Sequence, residues 1–312
     1  MDWVEWLFMV AASLAIVPHL WTWLVSWSMD GVVAVSLTIA MMGAGVAVGH
    51  HVVRSIQWVL PVRLPRSAPP KHWAEIVRQN VPLTRELSDP SFERLLKVMQ
   101  VFLRRKRFEG AGGLEVTDEM RVTIAAQACL LLLHLGIAAY PGLHTIIVYP
   151  DAFVPRRPGE SKPDRTTATL GESWSTGTVV LSWDSVQHGA FNPRDGQNVV
   201  LHEFAHQLDQ ATGAADGTPI MLAPTSVPAW ARVIGKRYAQ LRRAKRLGRR
   251  TVLDHYGATN RAEFFAVATE AFLEKPRQLR KNKPDLFEAL AAFYGWDPIT
   301  ELERRGSHGV ST

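Results

Sequence analysis

The sequence predicts an α+β fold: a helix-rich domain with a small mixed sheet, preceded by a two-helix transmembrane hairpin. Three observations lead there. Two long apolar runs fill the first 53 residues; from there on, apolar residues recur mostly at helical spacing; and only two short segments are β-branched and strand-like.

The first apolar run covers 3–27, broken by Glu5, Pro18, His19 and a few Ser/Thr; after Ser28-Met29-Asp30-Gly31 a second covers 32–53. Each run, coiled as a helix rising about 1.5 Å per residue, can cross a hydrocarbon core of about 30 Å. Trp3, Trp6, Trp21, Trp23, Trp27 and Trp58 lie towards the run ends, where amphipathic rings favour the headgroup zone. A secretory signal fits poorly, since no basic stretch precedes the first run and a second run comes at once. A buried hairpin of a soluble domain is the alternative. No Lys or Arg precedes Arg54, whereas Arg54, Arg63, Arg66 and Lys71 come directly after the second run. That asymmetry predicts both termini of the hairpin, and the rest of the chain, on the cytoplasmic side, with membrane lipid contacted through 3–53. His50 and His51 then fall at the interface beside Arg54, and His19 sits next to Pro18 in the first run.

Prolines 61, 65, 69 and 70 make 61–71 a stiff linker, which sets boundaries of 1–60 for the hairpin and 72–312 for the second domain. Helical spacing marks 90–105, and 118–139 reads as a long buried helix containing Cys129 and His134 as core residues. Cys129 is the single cysteine, so no internal disulfide can form, which fits a reducing compartment. Strands are predicted at 145–149, ending at Pro150, and at 178–183, with a Pro- and charge-rich loop between. Helices are predicted at 226–247, 261–274 and 283–294. The formal net charge of +6 is concentrated in 232–250 and 275–283. With Tyr238 the only aromatic interleaved in the first of these, it reads as a solvated helix face rather than a nucleic-acid surface, and no direct nucleic-acid binding is expected.

The most informative stretch is His202-Glu203-Phe204-Ala205-His206-Gln207-Leu208-Asp209. No Gly or Pro interrupts 197–212, so a helix through it is credible. Two histidines four apart then share one helix face and can grip a zinc ion, with Glu203 beside it to take a proton from a metal-bound water. A third protein ligand is needed. In the stretch from Tyr256 to Glu270, Asn260 is a plausible N-cap, which places Glu263 in the first turn of a helix and Glu270 two turns up the same face. Both carboxylates lie among apolar neighbours, where one ligand and one partner to a zinc-bound histidine would satisfy both charges.

These residues carry a resemblance. HEFAHQLD, the AEFFAVATEAF block, the spacing from Tyr256 to Glu263, the stretches 147–154, 171–174 and 180–183, and Phe102-Leu-Arg-Arg-Lys-Arg107 together resemble the Mlc titration factor A family of zinc-dependent peptidases, over about 72–300. The resemblance implies a zincin-like metallopeptidase domain with one Zn2+ ion held by His202, His206 and Glu263. It also implies Glu203 as general base and Tyr256 as a catalytic tyrosine. It implies a peptide or protein substrate, and a transcriptional regulator as a binding partner. The better-known relatives resemble the second domain alone and are cytosolic, so the apolar hairpin is a departure. Asp209 and Glu270 are the candidates to orient the ligands. The strand at 178–183 is expected to line the cleft and to take an extended peptide along its edge. Together these expectations describe a membrane-anchored zinc metallopeptidase working at the cytoplasmic face, or, alternatively, a cytoplasmic regulator that sequesters a repressor.

Overall fold

In the computed structural model the described residues are 64–135, 140, 142–151, 177–212, 215–219 and 226–308. The expected membrane hairpin lies outside them, and among the described residues no helix is long and apolar enough to cross a membrane.

Helix α1 (Lys71–Asn80) starts at Pro70, and a 3₁₀ turn (Pro82–Glu86) leads to α2 (Asp89–Arg105). The chain then enters β1 (Arg107–Gly110), α3 (Asp118–Leu130), β2 (Thr145–Tyr149) and β3 (Thr178–Ser182). Thr117 caps α3 by accepting from the Met120 N–H, and Asp118 and Glu119 occupy the first turn, where the helix dipole favours them. Next come α4 (Trp183–Phe191), α5 (Val199–Asp209), α6 (Val227–Arg246), α7 (Arg261–Glu274), α8 (Pro276–Asn282), α9 (Pro284–Tyr294) and α10 (Pro298–His308).

The sheet runs in the order β1-β2-β3 and both pairings are parallel, with Arg107 opposite Thr145 and Thr145 opposite Thr178. The expected mixed sheet is therefore parallel throughout the described strands. The physical reason is the connection: α3 carries the chain back along the sheet between β1 and β2, as a crossover between parallel strands must. Lys106 tightens that crossover. Its buried ammonium donates to the carbonyls of Tyr140 and Leu143, each at 2.6 Å, and burial pulls its pKa down to about 7.

Three other expectations change. Helix α3 stops at Leu130, because the next turns close by tighter i→i−3 bonds, Leu132 N–H to Cys129 and Leu133 N–H to Leu130. His134, beyond that tightening, is exposed beside Trp296 rather than buried in the core. Trp183 opens α4 instead of ending the strand, since the Ser182 hydroxyl caps the Ser185 N–H at 3.2 Å.

Two helices form the centre. α7 is buried on every side from Phe264 to Glu274, which accounts for its lack of a polar stripe. α5 packs along it and buries Val200, Leu201, Phe204, Ala205 and Leu208. Phe204 meets Tyr140 (ring centroids 4.9 Å) and Phe102 (5.8 Å), tying the back of the helix to α2 and to the entry of β2. A fully buried phenylalanine contributes about 1.5–3 kcal/mol relative to an exposed one, so this contact fixes the roll of α5 about its axis. With its apolar face inward, the histidine face has only one direction left to point.

Candidate metal centre

Asn198 starts α5. Its side chain accepts the Leu201 N–H at 3.0 Å and its carbonyl accepts the His202 N–H at 2.9 Å. One turn apart, the His202 and His206 rings lie with centroids 4.9 Å apart and planes at 78°. Across from them, Asn260 caps α7 by accepting the Glu263 N–H at 2.9 Å, which sets Glu263 in the first turn. Its Oε2 lies 3.0 Å from His202 Nε2 and 3.4 Å from His206 Nε2. One ligand atom from each of the three falls within 4.8 Å of the others.

Glu270 stands two turns along α7. Its Oε1 is 2.6 Å from His202 Nδ1, and its Oε2 accepts the Asn198 backbone N–H at 2.8 Å. The carboxylate thus orients the imidazole and anchors the start of the helix that carries it. Burial works to lower the His202 pKa, but the hydrogen bonds to Glu263 and Glu270 outweigh it and raise the pKa to about 10. Burial likewise works to raise Glu263, and the two histidines bring it down to about 2.

The donor set fits zinc. Two imidazole nitrogens and one carboxylate oxygen are ligand types zinc takes, and three protein ligands leave a position for a reacting molecule. A carboxylate at Nδ1 of one histidine fixes the tautomer that presents Nε2 to a metal. Glu203 supplies an independent sign. Its carboxylate is buried, 3% exposed, and Oε2 has no hydrogen-bond partner among the described residues. Burial and the neighbouring Glu263 and Glu270 push its pKa up to about 8, against the pull of His202. A carboxylate so costly to bury without a partner belongs beside a cation or a reacting proton.

Tyr256 comes from a 3₁₀ turn (His255–Ala258) capped by Asp254, whose Oδ1 accepts the Tyr256 N–H at 2.7 Å. Its ring lies 5.9 Å from that of His202, and the side chain is 41% exposed. Burial and the charges of Glu263 and Glu203 raise its pKa, so the hydroxyl keeps its proton. The next residue, Gly257, lets this turn press onto α7: a Cβ there would lie 3.1 Å from Val267 Cβ and 3.2 Å from Leu241 Cδ2.

Asp209 is fully buried at the end of α5. It accepts the Gly217 N–H at 2.9 Å; burial raises its carboxyl pKa to about 6, against that bond and the attraction of His206. Sequence reasoning does not single out Asn198, Gly257 or Glu274. Glu274 accepts from Asn198 Nδ2 (3.2 Å) and the Gly196 N–H (2.9 Å), which extends the support behind His202. The signals that could point to them are an Asn one residue before an apolar helix start, and a glutamate four residues beyond Glu270 in an otherwise apolar helix.

Residues 56–295 match the glucose-regulated metallo-peptidase M90 family. The chain belongs to this family. It is 40% identical over 235 residues to an uncharacterized protein of Synechocystis, covering 74% of this chain and 86% of that one. It is 29% identical over 256 residues to proteins named Mlc titration factor A from Yersinia pestis and Yersinia pseudotuberculosis, covering 80% of this chain and 93% of theirs. The resemblance carried by the motifs and the family match therefore coincide, and the His-His-Glu cluster falls within the matched residues.

Proposed function

We propose that the chain is a zinc metallopeptidase that hydrolyses peptide bonds at the cytoplasmic face of a membrane, tethered there by residues 3–53. The observation that carries the catalytic part is the buried Glu203 carboxylate, unpartnered at Oε2 beside three convergent ligand side chains. His202, His206 and Glu263 would hold the ion. When bound, zinc supplies Lewis acidity, which brings the pKa of a coordinated water towards about 7.

The chain's own groups do the rest. Glu203 takes a proton from the attacking water and passes it to the departing amine. Tyr256, protonated and reaching out beside His202, donates a hydrogen bond to the carbonyl oxygen as negative charge develops on it. Glu270 holds the His202 ring in place throughout. Strand β3 pairs only with β2 among the described strands and packs against α5. The edge of β3 away from β2, unpaired among the described residues, suits an extended peptide bound through main-chain hydrogen bonds. The tether is supported by the two apolar runs and by the basic residues that begin only at Arg54.

Glu203→Gln tests the mechanism. Zinc content should stay the same while hydrolysis of a peptide library falls by about 10²–10⁴; turnover at the native rate would remove Glu203 from its role. A second reading comes from the name of the Yersinia relatives: binding and titration of a regulator, with peptidase activity secondary. Glu203→Gln separates the two, since regulator binding would survive it.

A further inference from the structure

Next to the turn that carries Tyr256, where the Arg249 carbonyl lies 3.0 Å from His255 Nε2, the chain carries a concentration of positive charge that the described residues do not pair. Between Asp216 and Asp254 there is no acidic residue, and the basic residues gather at the C-terminal end of α6 and just beyond. Arg242, Arg243, Lys245, Arg246, Arg249 and Arg250 are all exposed. Among the described residues no carboxylate forms an ion pair with any of them. The contrast lies on the same helix: Lys236 and Arg237 both reach Asp285 of α9. Among the described residues, ion pairing from this helix thus ends five residues before Arg242, at Arg237. Within α6, Arg242, Arg243, Lys245 and Arg246 stand at helical neighbour spacing with no carboxylate paired to them among the described residues, which costs stability.

A helix C-terminus favours cations, but only within its last turn. That effect cannot explain Arg249 and Arg250, which lie past the helix end. Nor can it explain Leu247, which is 52% exposed and flanked on both sides by the basic residues. An exposed apolar side chain among exposed cations suits a bilayer surface, where the leucine enters the headgroup boundary and the arginines meet lipid phosphates. Single-stranded nucleic acid would need aromatic platforms for its bases. The aromatic here, Tyr238, is partly buried beneath Arg242 with its ring against Phe264.

We propose that the end of α6 and the residues after it, from Arg242 to Arg250 with the exposed Leu247 among them, form a docking surface for anionic phospholipid. This rests on the tether reading for where the domain works, and lipid composition separates the two. Docking would orient the catalytic domain against the membrane that its N-terminal runs enter, which would bias it towards substrates close to that surface.

The test uses the full chain carrying Leu247→Cys, labelled with an environment-sensitive fluorophore; Cys129 is buried and stays unlabelled. The emission should shift to the blue with phosphatidylcholine–phosphatidylglycerol vesicles, not with phosphatidylcholine alone, and the shift should reverse in high salt. One basic residue near an anionic surface contributes about fivefold in affinity, so Arg249→Gln with Arg250→Gln should weaken the lipid-dependent response roughly 25-fold. No difference between the two vesicle types would overturn the proposal. So would stronger binding to duplex DNA than to anionic vesicles at equal phosphate concentration, which would make the surface a nucleic-acid site. Flotation with neutral vesicles reports the tether independently. Loss of flotation with the anionic response retained would remove the tether and leave this surface standing.

Discussion

Replacing Glu270 by glutamine probes how far the proposed metal centre depends on a residue that would never touch the metal. The carboxylate accepts from His202 Nδ1 at 2.6 Å through one oxygen and from the Asn198 N–H at 2.8 Å through the other. An amide has one acceptor oxygen, so Glu270→Gln must turn its NH2 towards one of those donors and lose that bond. A hydrogen bond to a charged group contributes about 1.5–3 kcal/mol, and loss of a carboxylate behind a metal-bound histidine typically lowers metal affinity 10–100-fold. One effect opposes this. His202 sits near pKa 10, held up by the bonds to Glu263 and Glu270 in spite of burial, and its Nε2 proton must leave before a metal binds. At neutral pH proton and metal therefore compete for the same nitrogen. Removing the Glu270 charge lowers the His202 pKa and relieves part of that competition. The deficit of the variant should therefore be small at acid pH and grow as pH rises, towards its full value near the native His202 pKa. Zinc competition with a chromophoric chelator, at several pH values, measures this on protein shown by circular dichroism to be folded. Equal affinity for wild type and variant at alkaline pH would refute the positioning role, and a deficit that shrinks with rising pH would refute the proton linkage.

Other expectations are briefer. Tyr256→Phe should leave zinc binding intact and lower kcat by about 10²–10³, the usual effect of removing one donor to a developing oxyanion; an unchanged rate excludes the tyrosine from the reaction. Gly257→Ala should lower activity while leaving the fold largely intact, because the added methyl meets Val267 and Leu241 at 3.1–3.2 Å and must push the Tyr256 turn away from α7; steady-state kinetics beside a melting curve would show it. Glu274 sits near pKa 8, raised mainly by burial from an ordinary value of 4.5. The folded state then holds a proton that the unfolded chain releases, so stability is greatest below pH 4.5 for this group and falls as pH rises towards 8, by about 1.4 kcal/mol per unit at most. Glu274→Gln should flatten that slope in denaturant titrations of the metal-free protein, and a slope identical to wild type would count against the buried carboxyl.

How much of the molecule is legible in its sequence depends on how local each determinant is. The 261–274 helix is legible to the residue because its start is written in neighbouring positions, with Asn260 supplying the cap and Glu263 receiving it. The histidine pair needs only the period of a helix. Strand β1 is not legible, since four residues with charged Arg107 and Glu109 show no apolar alternation and become a strand only by pairing with β2. The sheet's parallel sense is equally non-local, being set by a crossover through α3 that no short window contains.

Glu270 shows the same division inside the site. Its spacing from Glu263 places it on the right helix face, and that much is periodicity. Its work is done against Asn198, 72 residues away, through a backbone N–H that has no side-chain signature at all. Asn198 in turn reaches Glu274, Gln127 and the carbonyl of Gly189, so a single residue gathers α3, α4 and α7 around the first turn of α5. The ligand motif is therefore the local part of a structure whose rigidity is non-local. A transplanted HEFAHQLD helix would carry both histidines and Glu203. It would lack the carboxylate that orients His202, the carboxylate of Glu263 opposite it, and the packing of Phe204 that turns the histidine face towards Glu263.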